Sequence, residues 1–181
     1  MRTYGDKLSV TTILKICGYY PQIQYATEAD RDFGTLIHQQ CALVAKGLAP
    51  TVTNEFALAH IEQFRLWLGT SKVIAVEKSI IGNSFAGTLD LITEKSVPLV
   101  DIKTSSADCR AYQLQTSAYQ MLCNEYGLLH ERIRRRGILL LSDTSWKFIE
   151  HKNEMDSYIF KSCVNVANDL IKNKIIIMEE N

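Results

Sequence analysis

After residue 72 the chain changes its period. Before that point apolar residues recur at helical intervals. From Val73 they come in three β-branched runs, at 73–81, 85–93 and 97–103, separated only by Gly82-Asn83-Ser84 and Glu94-Lys95-Ser96. Runs joined by turns this short pair as an antiparallel meander. The flanking segments read as helices. Residues 9–16 suggest a short helix capped by Ser9 or Thr11, and Pro21 disfavours helix just beyond it. Residues 30–46 carry Leu36, Ile37, Leu43 and Val44 at helical spacing, with Gly47 at the C-cap position. Residues 54–68 place Phe56, Ile61, Phe64 and Leu68 on one face, ended by Gly69. After the meander come a helix at 107–126 (Tyr112, Gln115, Tyr119 and Leu122 on one face, Gly127 at its end) and strands at 133–141 and 146–151. A last helix at 154–172 has Tyr158, Ile159, Val166 and Leu170 as its expected apolar stripe. This order predicts an α/β fold of the α+β mixed-sheet kind, a central mixed sheet flanked by helices with an N-terminal helical segment.

The 181 residues fit one domain. Within it, 1–70 would be a helical part, 71–152 the sheet with its crossing helix, and 153–181 a C-terminal helix. No apolar run nears the roughly 18 residues that a membrane span needs, and no secretory leader pattern opens the chain. A cytoplasmic protein is expected. The five cysteines, Cys17, Cys41, Cys109, Cys123 and Cys163, are widely spaced with no C-x-x-C pair. That spacing suits reduced, mostly buried thiols rather than a structural zinc or a disulfide framework. The formal net charge is zero. A nucleic-acid partner would therefore have to be met by a local basic patch or by bound cations.

The third strand ends Asp101-Ile102-Lys103. Residues two apart on a strand project to the same face, so Asp101 and Lys103 emerge together with Ile102 toward the core. Alone, this is a structural ion pair or a metal ligand beside a water-steering ammonium. Glu150-His151-Lys152 repeats the acid-x-Lys string on another strand. Context favours the first copy. Asp90 lies on the neighbouring strand, within reach across an antiparallel pair, and Glu77 on the first strand can add a third carboxylate. Crowded carboxylates repel unless a cation sits between them. A hard divalent ion such as Mg²⁺ takes oxygen ligands and activates water against a phosphodiester. Nothing comparable surrounds Glu150.

The ordered series Gly34-Thr35-Leu36-Ile37-His38, Glu77, Gly87-Thr88-Leu89-Asp90, Asp101-Ile102-Lys103 and Gln115-Thr116-Ser117-Ala118-Tyr119 resembles the RecB-like branch of the PD-(D/E)xK nuclease superfamily. The match spans roughly positions 9 to 152. It is closest in kind to small stand-alone phage exonucleases and is similar to the mitochondrial genome-maintenance exonuclease. The resemblance implies a restriction-endonuclease-like core and a Mg²⁺- or Mn²⁺-dependent deoxyribonuclease, an exonuclease on single-stranded DNA or DNA ends. The alternatives are a structure-selective endonuclease on the same fold, or a non-catalytic module that binds DNA or a host nuclease. It further implies Asp90, Asp101 and the Ile102 carbonyl as metal ligands, with His38 and Glu77 joining them. Lys103 would orient water and offset charge, and Gln115 and Tyr119 would brace Lys103 and the phosphate. RecB-like nucleases that carry an iron–sulfur cluster have clustered cysteines after the Q-x-x-x-Y helix. Here only Cys123 and Cys163 follow, far apart, so no cluster is expected.

Without those motifs His38 reads as a core or surface histidine, and Gln115 and Tyr119 as helix-surface residues. For DNA contact, the densest basic run is Arg132, Arg134, Arg135 and Arg136. On one strand Arg134 and Arg136 would share a face and Arg135 would take the other. Tyr119 is expected to reach the nucleic acid from the helix. Tyr19, Tyr20 and Tyr25 suit base stacking or plain packing equally. Oligomeric state is open at this level.

Overall fold

The computed structural model describes residues 3–20 and 27–176. Pro21 and Tyr25 lie outside the described residues. The elements are β1 (Thr3–Tyr4), β2 (Lys7–Leu8), α1 (Val10–Ile16), α2 (Glu28–Ala45), α3 (Glu55–Leu68), β3 (Val73–Ile81), β4 (Ala86–Thr93), β5 (Leu99–Lys103), α4 (Arg110–Tyr126), β6 (Arg136–Leu141), β7 (Trp146–His151) and α5 (Met155–Lys172). The main sheet runs β3-β4-β5-β6-β7, with β5 and β6 parallel and every other neighbour antiparallel. This is the mixed sheet flanked by helices that the alternation of periods predicts. The parallel pair exists because α4 crosses over between β5 and β6. The short β1–β2 hairpin was not foreseen. It is tied to the sheet by the Tyr4 and Thr88 hydroxyls, 2.6 Å apart.

Helix starts follow local chemistry. Ser9, rather than Thr11, caps α1 by accepting from the Thr12 amide. Thr27 and Asp30 form a reciprocal capping box that starts α2 at Glu28. Asn54 caps α3. Gly127 ends α4 at φ 67°, a left-handed conformation natural to glycine.

Two apolar clusters pack on opposite faces of the sheet. One joins α1, α4 and α5 through Ile13, Leu14, Leu114, Ala118, Phe160 and Val164, and meets Leu89, Ile92 and Leu99 from the strands. The other joins α2 and α3 through Ile37, Cys41, Phe64 and Trp67, and meets Leu91, Val100, Ile102 and Leu139. Strict alternation would put Leu89 and Leu91 on one face. Their separation shows that the alternation slips by one residue at Asp90.

Two expectations about α5 and β6 are corrected. The buried stripe of α5 is Phe160, Cys163, Val164 and Ala167, while Tyr158 and Val166 are exposed by 62% and 49%. Strand β6 begins at Arg136, not at 133. Ile133 is buried, but its backbone pairs with the Asn124 side chain instead of a strand. Among the described residues, no helix is long and apolar enough to cross a membrane.

Candidate active site

The sheet brings the predicted acids together at one place. The paired register of β4 and β5 is Leu91↔Val100 and Ile92↔Leu99, and it stops one step short of Asp90 and Asp101. There the Asp90 carboxylate enters the ladder and accepts the Ile102 amide at 2.7 Å. On the other side of β4, the register Val76↔Leu91 and Lys78↔Leu89 sets Glu77 opposite Asp90. Glu77 has φ 48°, a left-handed backbone for a non-glycine residue. Strain of this kind costs roughly 1–3 kcal/mol and persists only where the surroundings hold it. The slip in β4 and the strain in β3 thus share one rung.

His38 reaches this rung from α2, with Nδ1 3.3 Å from Asp90 Oδ2. One ligand atom each from His38, Glu77 and Asp90 lies within 4.8 Å of the others. Asp101 and Lys103 project to the same face of β5, as period two requires, with Lys103 Nζ 2.6 Å from Asp101 Oδ2. Asp101 is 1% exposed, and its Oδ1 receives no hydrogen bond among the described residues. The Lys103 ammonium donates to Oδ2 in a charge-assisted contact, and Oδ1 is left without a donor among the described residues.

The charges follow from this crowding. Burial raises the Asp101 pKa, Lys103 pulls it down, Asp90 pushes it up again, and the result is about 6. Burial also works against the Asp90 charge, but His38, Lys103 and the Ile102 amide outweigh it and hold that carboxyl below its usual range. His38 is shifted down by burial and more strongly up by Asp90, for a net rise. Glu77 is raised by burial and then by Asp90. Lys103 is opposed by burial, yet Asp101 and Asp90 keep it firmly protonated.

Helix α4 supplies the opposite wall. Tyr20 Oη donates to Gln115 Oε1, and Gln115 Nε2 donates to Tyr119 Oη, each at 2.9 Å. The Tyr112 ring lies under Lys103, with Nζ 4.8 Å from the ring centroid. Two glycines permit the close packing. A Cβ at Gly87 would stand 2.8 Å from Tyr119 Cε1, and one at Gly34 would stand 3.2 Å from Thr104 Oγ1. His38, Glu77, Asp90, Asp101, Lys103 and Tyr119 all line one open cleft of about 1430 Å³.

The arginine run is not part of this cleft. Arg136 opens β6 opposite Leu99, while Leu140 faces Lys103. The run therefore sits four residues away along the strand, about 13 Å at roughly 3.3 Å per residue. Arg136 is 4% exposed and bonds Asp156 and the His151 and Asn153 carbonyls. As a DNA contact it is corrected to a buried structural arginine. Arg135 is paired in two-point fashion with Glu150, and Arg134 is exposed in the loop before β6 rather than on a strand face. The rival string Glu150-His151-Lys152 is accounted for structurally, since Glu150 holds Arg135 and Lys152 while His151 is buried between Thr116 and Asp108.

Tyr20 and Tyr112 belong to the site in ways that spacing did not reveal. Tyr112 was legible as a member of the Gln115–Tyr119 face. Tyr20 had no comparable signal, because its partner lies on a helix far along the chain.

No family model and no curated protein sequence matches the chain. Among solved structures it is similar to a phage-related exonuclease from Haemophilus somnus 129PT, at 13% identity and TM-score 0.45, covering 93% of this chain and 95% of that one. It is also similar to a protein designated SSO0001, at 12% identity and TM-score 0.40, covering 91% of this chain and 84% of that one.

Proposed function

We propose that the chain is a divalent-metal-dependent nuclease of the PD-(D/E)xK type, hydrolysing DNA phosphodiester bonds on single strands or at ends. One observation carries the reading. A buried carboxylate with one oxygen lacking any donor among the described residues, Asp101, stands beside a protonated lysine and next to a His38–Glu77–Asp90 cluster whose ligand atoms lie within 4.8 Å. Buried charge of this density is costly in isolation and is relieved by a cation. Oxygen donors with one imidazole suit Mg²⁺ or Mn²⁺.

Asp90, Asp101 and the Ile102 carbonyl would hold the ion, with His38 and Glu77 at its edge. When bound, it supplies Lewis-acid polarisation of the phosphate and activation of water. The protein's own groups do the rest. Lys103 offsets the negative charge that grows on the phosphate as the nucleophile closes. Burial raises the Tyr119 pKa and keeps the phenol protonated. Because Tyr119 Oη already accepts from Gln115, its proton is free to donate to a phosphate oxygen. Arg134 and Arg135 would contact backbone beyond the cleft.

The test is cleavage of a labelled single-stranded oligonucleotide with Mg²⁺, Mn²⁺ or EDTA, alongside a covalently closed single-stranded circle. Cleavage of the linear strand that EDTA abolishes supports the reading. Tight DNA binding without metal-dependent cleavage would refute it. A degraded circle would replace the end-dependent mode with an endonuclease.

A further inference from the structure

Lys103 has a flexible four-carbon stem, yet its side chain is only 14% exposed, and two groups seat its ammonium. One is the Asp101 carboxylate at 2.6 Å, and the other is the face of the Tyr112 ring at 4.8 Å. We propose that Tyr112 is a positioning residue for Lys103, and that its ring is the seat that persists when a divalent cation engages the carboxylates. The proposal rests on the nuclease reading above.

The two seats differ chemically. Asp101 is itself a candidate ligand, so a cation drawn onto it competes with Lys103 for the same negative charge. The ring offers the lysine the negative face of its quadrupole. It carries no formal charge for the cation to take. Tyr112 also sits one turn before Gln115 on the same face of α4, so the helix that orients the Gln–Tyr pair fixes the lysine seat as well. The attraction comes from the ring face and does not require the hydroxyl. Removing the ring while keeping similar bulk leaves Lys103 charged but loosely aimed. The loss then falls on the chemical step and not on DNA binding.

The experiment compares wild type, Tyr112→Phe and Tyr112→Leu at saturating Mg²⁺. Tyr112→Phe is expected within about twofold of wild type in kcat. Tyr112→Leu is expected to lose about 3- to 30-fold in kcat, the range set by an aromatic–cation contact, with KM for DNA little changed. A second readout is independent of activity. In wild type and Tyr112→Phe, the Lys103 ε-methylene resonance should be shifted upfield by the ring and should stay so when Mg²⁺ is added. Equal kcat in all three proteins, an equal loss in Phe and Leu, or collapse of the upfield shift on adding Mg²⁺ would overturn the proposal. A wild-type protein with no metal-dependent cleavage would remove the nuclease reading instead, and the resonance would still decide the seat.

Discussion

Glu77 holds a left-handed backbone while its carboxyl, raised by burial and by Asp90, faces other acids. Both features oppose stability, and both are relieved by glycine. Glu77→Gly should therefore stabilise the metal-free protein by about 1 kcal/mol in denaturant unfolding, while Mn²⁺ affinity falls. A destabilised variant would mean that the Glu77 contacts outweigh the strain. Protons at the neighbouring groups predict the pH dependence of metal binding. On the proposed reading, Asp101, with its pKa near 6, and His38, raised above its ordinary 6.5, would both have to lose protons before serving as ligands. Each protonated form excludes the ion, so affinity should rise with pH through about 6 and level off above the His38 pKa. Calorimetric titration of Mn²⁺ between pH 5.5 and 8 checks this, and a flat or falling profile would contradict it. At this scale the sequence was readable where period two applies, as at Asp101 and Lys103. It was silent where the backbone breaks its period. Nothing in the run of residues from Val76 to Lys78 announces a left-handed glutamate.

Among the elements, β3 and β7 matched their expected bounds because turns and alternation agree there. Helix α5 shows why pattern alone fails. It has apolar side chains on more than one face, and Tyr158 with Val166 makes as plausible a stripe as Phe160 with Val164. The choice is made by tertiary partners. Phe85 meets Phe160 edge-on, and the buried Asp156 in the first turn is held by Arg110 and Arg136, each at 2.6 Å. That triad ties α5, α4 and β6 together. Asp156→Ala would leave two arginines facing each other, one of them buried, and should cost about 3–5 kcal/mol in unfolding free energy. A loss below about 1 kcal/mol would show that packing alone docks α5. The same triad explains the misread arginine run, since a basic string looks solvated until one member is found neutralised inside.

Over the whole molecule, the cleft opens where β4 and β5 stop pairing, between α2 and the Gln–Tyr face of α4. The basic loop before β6 lies at the other end of the central strands. On the proposed reading, a formally neutral chain would present a protonated lysine and a cation site to one phosphate, and exposed arginines to backbone farther along. Arg134→Glu should leave cleavage of a short oligonucleotide unchanged. It should weaken binding of long strands and reduce the salt dependence by about one phosphate contact. Equal effects on both lengths would place the loop within the cleft's own reach. The order of elements was legible from the change of period at Val73, and the meeting of the acids, histidine and lysine at one candidate site from their ordered series. The separation of the arginines was not, because it depends on the β5–β6 register. The most direct test of the account is Mg²⁺-dependent cleavage of linear single-stranded DNA by wild type, Asp101→Asn and Lys103→Ala, with all three shown to be folded. The account predicts cleavage by wild type and a loss of about a hundred- to a thousandfold in both variants, the range set by removing a preorganised group from such a site. Undiminished activity in either variant, or no cleavage by wild type, would contradict it.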